Sequence, residues 1–351
     1  MITIEELLIA AKERKASDLH VTVGIPPKLR INGRLVDSGY TNITPTDVTA
    51  IIEPMLTDAT RKVLEKKGEV DFAYSIPGMG RYRTNIFKQR GSYALAMRIV
   101  GTNLPNAEDL GLPPSVINLT QKKRGLVMVT GPAGSGKSTT LASLLNIINE
   151  NYDSHIITLE DPIEFLHNHK RSVVNQREIG LDSESYAGAL RAALREDPDV
   201  IFVGELRDME TISLALMAAE NGHLVFSTQH TIGAANTIER LIDVFPPHQQ
   251  QQIRVQLAAA LRTVVSQQLI PMMDGSGRAA VFEVMHTTLT IKNLIKEGKT
   301  HQIEAVMQAN AKMGMQTMDD AIYEMYQKKK IDSEKALQYA QDPFTMERKL
   351  Y

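Results

Sequence analysis

The sequence predicts an α/β protein: a parallel sheet with helices on its faces, preceded by a smaller α+β module. Three observations lead there. Gly131-Pro132-Ala133-Gly134-Ser135-Gly136-Lys137-Ser138 fits GxxxxGK[ST] at every required position. The apolar run Leu126-Val127-Met128-Val129-Thr130 before it reads as a buried strand, and Leu141, Leu144, Leu145 and Ile148 after it recur at the spacing of an amphipathic helix. From about Leu119 to Leu269, further short apolar runs alternate with helical stretches, the pattern of parallel strands joined by crossover helices.

Strand, glycine loop and helix start together make an anion site. Glycines let backbone N–H groups turn inward on phosphates, and the helix N-terminus adds partial positive charge. Residues Gly131 through Ser138, with Thr139, are therefore the candidate nucleotide-binding segment. Lys137 should reach the β- and γ-phosphates, and the Ser138 hydroxyl should ligate Mg²⁺.

The other elements follow in order. Thr3 and Glu6 fit a capping box, and Ile4, Leu7, Leu8 and Ala11 make a helix stripe. Short strands are expected at Leu19–Val23, Lys28–Ile31 and Arg34–Val36, with Asn32-Gly33 as a hairpin turn. One helical stretch is expected at residues 47–66, then strands at Val70–Ser75, Gly80–Lys88 and Tyr93–Ile99. Three prolines among glycines and asparagines in Gly101–Pro114 mark a boundary. Beyond it come strands at His155–Leu159, Val200–Val203 and Leu224–Thr228, and helices at Ser185–Arg195 and Asp208–Asn221. Past about Met285 the chain reads as helical. The expected division is residues 1–100, a linker at 101–118, a nucleotide-binding core at 119–284 and a helical region at 285–351.

Composition narrows the chemistry. The chain has 351 residues, a formal net charge of −2 and no cysteine. Disulfides, cysteine-ligated zinc, iron–sulfur clusters and thiol catalysis are excluded together. The N-terminus lacks the basic and apolar regions of a signal peptide, and no apolar run approaches the 18 or so residues of a membrane span. A cytoplasmic protein is expected, and the charge gives no indication of nucleic-acid binding.

Four further groups carry candidate chemistry. Asp199-Val200-Ile201-Phe202-Val203-Gly204-Glu205 is an apolar strand ending in a carboxylate, and in such sheets the carboxyl ends of strands face the ligand. Glu205 there could hold Mg²⁺ through water or polarise an attacking water; the bland alternative is a surface acid. Glu160, Asp161 and Glu164 cluster around Pro162 at another strand end. One is a candidate base, with Glu164 favoured, unless the segment is a solvated turn. His223 and His230 bracket an apolar run, and their odd spacing argues against a shared metal. Either could sense a γ-phosphate, meet a neighbouring subunit or be purely structural. Arg81 and Arg83 share a strand face, with Arg98 on the adjacent strand. They suit a phosphate clamp, a carboxylate partner or a plain solvated face.

Taken together, these groups resemble the secretion-type traffic ATPases, most closely the PilT family of type IV pilus retraction motors. The similarity covers essentially the whole chain. It runs from Ala16-Ser17-Asp18-Leu19-His20, through the phosphate loop and Glu160-Asp161-Pro162-Ile163-Glu164-Phe165, to Glu196-Asp197-Pro198-Asp199 and Gly204-Glu205-Leu206-Arg207-Asp208. The segment from Ile291 to Gln302 is similar to the family's C-terminal motif, with Thr290-Ile291-Lys292 where Ala-Ile-Arg is usual. Ala133, Ser227 and Gln229 also depart from the pattern, standing where Thr, Gly and Leu are usual.

The resemblance implies an N-terminal PAS-like domain, a RecA-like ATPase core and a helical C-terminal region in a homohexameric ring. It implies ATP and Mg²⁺ as ligands. It assigns Glu164 as general base, Glu205 to the metal-proximal box, His230 to the nucleotide, and Arg81, Arg83 and Arg98 to the phosphates. It places the protein at the cytoplasmic face of the inner membrane, peripheral to it, against a pilus platform protein. It leaves as alternatives an accessory retraction paralogue, a pilus-extension or type II secretion ATPase, and a nucleic-acid translocase. The stripe Ile291, Leu294, Ile295 is expected to serve retraction and not hydrolysis, so that Leu294→Asp would spare the ATPase.

Overall fold

The computed structural model describes residues 2–31, 33–100, 104–275 and 277–351. Asn32 of the expected hairpin turn and residues 101–103 of the expected linker lie outside the described residues. The chain divides into two compact units, Met1–Thr102 and Asn103–Tyr351.

In the first unit Thr3 opens helix α1 (Ile4–Glu13). Its hydroxyl accepts from the Glu6 amide while the Glu6 carboxylate accepts from the Thr3 amide, so the capping box forms. Strands β1 (Asp18–Val21), β2 (Lys28–Ile31) and β3 (Arg34–Asp37) follow. The single helical stretch expected next is two helices, α2 (Pro45–Ile52) and α3 (Asp58–Lys67). Pro54 sits in the turn that ends α2, and Thr57, extended, starts α3 with its own cap. Strands β4 (Glu69–Ile76), β5 (Gly80–Gln89) and β6 (Ser92–Ile99) complete an antiparallel sheet in the order β3-β2-β1-β6-β5-β4. Leu8, Leu19, Leu29, Ile51 and Ile86 anchor its core. One cross-strand row of this sheet reads Arg30, Asp18, Arg98, Arg83.

The second unit opens with a short helix, α4 (Pro114–Ile117), and then β7 (Gly125–Thr130), α5 (Lys137–Asn151), β8 (His155–Glu160), β9 (Val173–Glu178), α6 (Tyr186–Ala193), β10 (Val200–Val203), α7 (Met209–Glu220) and β11 (Leu224–Gln229). Helices α8 (Ala234–Asp243) and α9 (Pro247–Ala260) lead into β12 (Leu261–Pro271) and β13 (Arg278–His286). Five helices close the chain: α10 (Leu289–Glu297), α11 (Ile303–Ala309), α12 (Met318–Gln327), α13 (Ser333–Tyr339) and α14 (Pro343–Leu350).

The sheet order is β13-β12-β7-β11-β10-β8-β9. The expectation of a parallel sheet needs correction here, because β13 runs antiparallel to β12 and the sheet is mixed. Side chains of β7 alternate between two cores. Leu126 and Met128 pack with α7 to α10, and Val127 and Val129 pack with α5. Because both faces are covered, the central strands are buried along nearly their whole length and open with apolar runs, which made them legible.

Candidate functional site

The parallel strands bring their carboxyl ends to one edge. Val203 of β10 lies opposite Leu159 of β8 and Ser227 of β11, and Gln229 lies opposite Thr130 of β7. The residues that follow each strand therefore converge: the glycine loop after β7, Asp161 to Glu164 after β8, Gly204 and Glu205 after β10, and His230 after β11. They line a cleft of about 530 Å³ that also receives Tyr186, Arg207 and Arg278.

The loop fits a phosphate. Gly131 has φ +141°, and a Cβ there would stand 2.2 Å from the Gln267 carbonyl oxygen of β12, so only glycine lets the loop pass so close to that strand. Thr140 of α5 donates to Gln267 Oε1 at 2.8 Å, which fixes the start of the helix to the same strand. Lys137 Nζ donates to the Gly131 and Pro132 carbonyls at 2.8 and 3.0 Å and lies 3.4 Å from His230 Nδ1. Burial lowers the Lys137 pKa, and the charges of Glu205 and Glu164 oppose that.

Glu205 is held from two sides. Arg207 Nη2 lies 2.7 Å from its Oε2, and His230 Nε2 lies 3.5 Å from the same oxygen. His230 can therefore direct an Nε2–H toward Glu205 while Nδ1 accepts from Lys137. Ser138 lines the same cleft as Glu205. A hydroxyl and a carboxylate beside a phosphate loop are hard oxygen donors, the set that suits Mg²⁺.

The three acids after β8 sit in different surroundings. Glu160 is buried, its Oε1 accepting from Thr158 Oγ1 at 2.6 Å and Gln176 Nε2 at 3.0 Å. Burial pushes its pKa up to about 7. Asp161 and Glu164 are exposed, and a cis peptide joins Asp161 to Pro162. Glu178 accepts from the Ile163 amide at 3.1 Å and so fixes the backbone beside Glu164. A Cβ at Gly204 would stand 2.6 Å from the Tyr186 hydroxyl and 3.1 Å from the Leu159 carbonyl oxygen, so a side chain there would displace Tyr186. Burial and the carboxylates of Asp161, Glu160 and Glu205 push its pKa well up, so it remains a neutral O–H.

Other expected residues lie elsewhere. His223, at the opposite end of β11, bonds through Nδ1 to the Pro198 carbonyl at 2.8 Å. That position sets it apart from the phosphate loop, and the bond to Pro198 supports the structural reading. Arg81 and Arg83 lie on β5 and Arg98 on β6 of the first unit's sheet, with Arg83 directly opposite Arg98. Arg98 Nε donates to Asp18 Oδ1 at 3.0 Å. The tail stripe departs from expectation. Ile291, Leu294 and Ile295 are buried in the core that also holds Leu126, Ile201 and Leu257. They belong to the core of the nucleotide-binding fold, so Leu294→Asp is expected to disturb that fold.

Sequence reasoning assigned no role to Gln267, Tyr186, Arg207 or His167, all of which back or line the cleft. Burial holds His167 near 4 and neutral. A signal existed for Gln267: it is the middle of three polar residues, Ser266 to Gln268, set between the apolar pairs Val264-Val265 and Leu269-Ile270.

Comparison with known proteins gives consistent matches. The family model described as "Type II/IV secretion system protein" matches residues 3–341. The "Type IV pilus retractation ATPase PilT" of Pseudomonas aeruginosa is 44% identical over 97% of this chain and 98% of its own length. The "Type IV pilus ATPase PilU" of the same organism is 39% identical over 96% of this chain and 88% of its own length. A crystal structure of the pilus retraction motor PilT with bound ADP superposes with a TM-score of 0.92 at 46% identity, covering 99% of this chain and 100% of that one. Among the described residues, no helix is long and apolar enough to cross a membrane.

Proposed function

The chain belongs to the type II/IV secretion system protein family, and we propose that within it this protein is an ATP-hydrolysing motor that powers type IV pilus retraction. One observation carries this reading. Lys137, Ser138, Glu164, Glu205 and His230 line one cleft at the strand ends, in a chain alignable nearly end to end with a retraction ATPase.

In the proposed reaction the loop amides of Gly134 to Ser138 and the start of α5 cradle the phosphates of ATP. Lys137 neutralises the β- and γ-oxygens. Ser138 and, through water, Glu205 would hold Mg²⁺, which supplies charge stabilisation for the leaving phosphate when bound. Glu164 orients and deprotonates the attacking water. His230, set between Lys137 and Glu205, faces the γ-phosphate and distinguishes ATP from ADP. Positioning and electrostatics do most of the work in such phosphoryl transfer.

The wider assignment rests on the family. Residues 1–100 form a PAS-like domain, 101–118 a linker, 119–284 a RecA-like ATPase core and 285–351 a helical C-terminal region. Six copies form a ring. Arg81, Arg83 and Arg98 reach the phosphates when a subunit closes, so that turnover becomes movement. The ring works at the cytoplasmic face of the inner membrane, peripheral to it, on a platform protein, without nucleic acid.

The test is Mg²⁺-dependent ATP hydrolysis with mass determination in the same buffer, for wild type and Glu164→Gln. A hexamer is expected to hydrolyse ATP, with the variant binding ATP while kcat falls by about 10²- to 10⁴-fold. A monomer without turnover would refute the motor.

A further inference from the structure

Beyond the cleft, the sheet carries a second buried polar feature. Glu283 of β13, Ser266 of β12, Thr130 of β7 and Gln229 of β11 are successive cross-strand partners. All four are buried. Partners in one row share a face, so four buried polar side chains stand side by side across four strands. Such groups are costly unless bonded.

What bonds them is the loop that leaves the cleft. The chain passes from His230 through Thr231, Ile232 and Gly233 into α8. Thr231 Oγ1 lies 3.5 Å from Gln229 Oε1 and 2.8 Å from Thr237 Oγ1, which is in turn 3.4 Å from Thr130 Oγ1. Ser266 Oγ accepts the Gly233 amide at 3.0 Å, and Glu283 Oε1 accepts the Ala234 amide at 2.6 Å. Gln229 and Ser266 thus hold the loop that carries His230, and Thr130 and Glu283 hold the first turn of α8 into which that loop runs.

Glu283 does more than this. Its Oε2 accepts the Met318 amide, the first residue of α12, at 3.2 Å, and Gln341 Nε2 at 3.2 Å. One buried carboxylate therefore serves the N-termini of two helices, α8 behind the cleft and α12 in the C-terminal region. Gln341 is itself fixed, its amide donating to Asp319 Oδ1 at 2.7 Å.

We propose that this row is a positioning device for His230, and that Glu283 makes the setting of His230 depend on the C-terminal helices. Glu283 touches no nucleotide; it acts through the 231–234 loop. The inference rests on the proposed role of His230 at the γ-phosphate, and it adds a route by which a load on the C-terminal helices reaches the reaction.

Glu283→Gln keeps the volume but puts an N–H₂ where one of the helix amides must be accepted. Full-length wild type, Glu283→Gln, His230→Ala and the double variant are compared for kcat, KM, Tm and the affinities of fluorescent ATP and ADP analogues. Glu283→Gln is expected to lower kcat about tenfold or more with KM changed less than about threefold. The double variant is expected to be no more than about twofold slower than His230→Ala, because residues acting through one another are not additive. Ser266→Ala, which removes the neighbouring acceptor without disturbing a charge, carries the same cycle if Glu283→Gln does not fold. Multiplying losses in the double variants, or a fall in Tm with kcat unchanged, would overturn the proposal. Wild type without turnover would instead refute the motor. The affinities still decide the inference, since each variant should lose the preference for ATP over ADP by the same, non-cumulative factor.

Discussion

Replacing Glu160 with glutamine should stabilise the protein at alkaline pH and leave it unchanged at acid pH. The Glu160 side chain is buried, and burial raises its pKa from 4.5 to about 7, against the pull of the Thr158 and Gln176 hydrogen bonds. In the unfolded chain the carboxyl keeps its ordinary value. The folded state therefore binds this proton more tightly than the unfolded state. The cost begins as pH rises above 4.5 and is complete above 7. A rise of that size corresponds to about 3 kcal/mol. Glutamine removes the titration and keeps an oxygen able to accept from Thr158 and Gln176. Its amide nitrogen must find an acceptor, which offsets about 1 kcal/mol. A net gain of about 2 kcal/mol should raise Tm by about 4–8 °C at pH 8 for a unit of this size. At pH 5 only about 1 kcal/mol of the cost remains, which the amide penalty cancels, so the two proteins should melt together. The assay is scanning calorimetry of both full-length proteins without nucleotide at the two pH values. A difference in Tm that stays constant between pH 5 and pH 8 would refute the reasoning, because it would mean that Glu160 does not titrate there.

Two more outcomes follow from packing. Gly131→Ala should abolish nucleotide binding. Its Cβ would lie 2.2 Å from the Gln267 carbonyl oxygen, and a close-packed sheet cannot yield the displacement of about 1 Å required. A fluorescent ADP analogue bound within about tenfold of wild-type affinity would contradict this. Leu294→Ala should cost about 2–5 kcal/mol. Leu294→Asp should cost more and remove ATPase activity together with the fold, and a melting curve and turnover like the wild type would return the tail stripe to a purely mechanical role.

The sequence was legible where strands are covered on both faces. Leu126 to Thr130, Val200 to Val203 and Leu224 to Gln229 pack against helices above and below, so every position is apolar or neutral and the run stands out. Strand β9 was missed because it lies at the sheet edge, where Asn175 and Arg177 interrupt the apolar pattern. Strand β12 was missed for a different reason. Its polar residues Ser266, Gln267 and Gln268 are buried, because Ser266 and Gln267 serve the loop behind His230 and the phosphate loop. Polar side chains there look like a surface until the loops they hold are known. The stripe of Ile291, Leu294 and Ile295 teaches the complementary lesson. Its period announced a buried helix face, but periodicity carries no information about what buries it.

Surroundings also bear on the choice that the sequence left among Glu160, Asp161 and Glu164. A general base needs a pKa near or below working pH and must meet water. Glu160, its pKa pushed up to about 7, suits the first condition but not the second, being buried and bonded to Thr158 and Gln176. Asp161 and Glu164 are both exposed, so exposure does not separate them. Their fields do. The charge of Asp161 is felt at the Tyr186 phenol, beside Gly204. The charge of Glu164, with that of Glu205, is felt at the Lys137 ammonium, inside the phosphate loop. On this ground we propose Glu164 over Asp161 as the base, with the buried Glu160 holding the segment through Thr158 and Gln176.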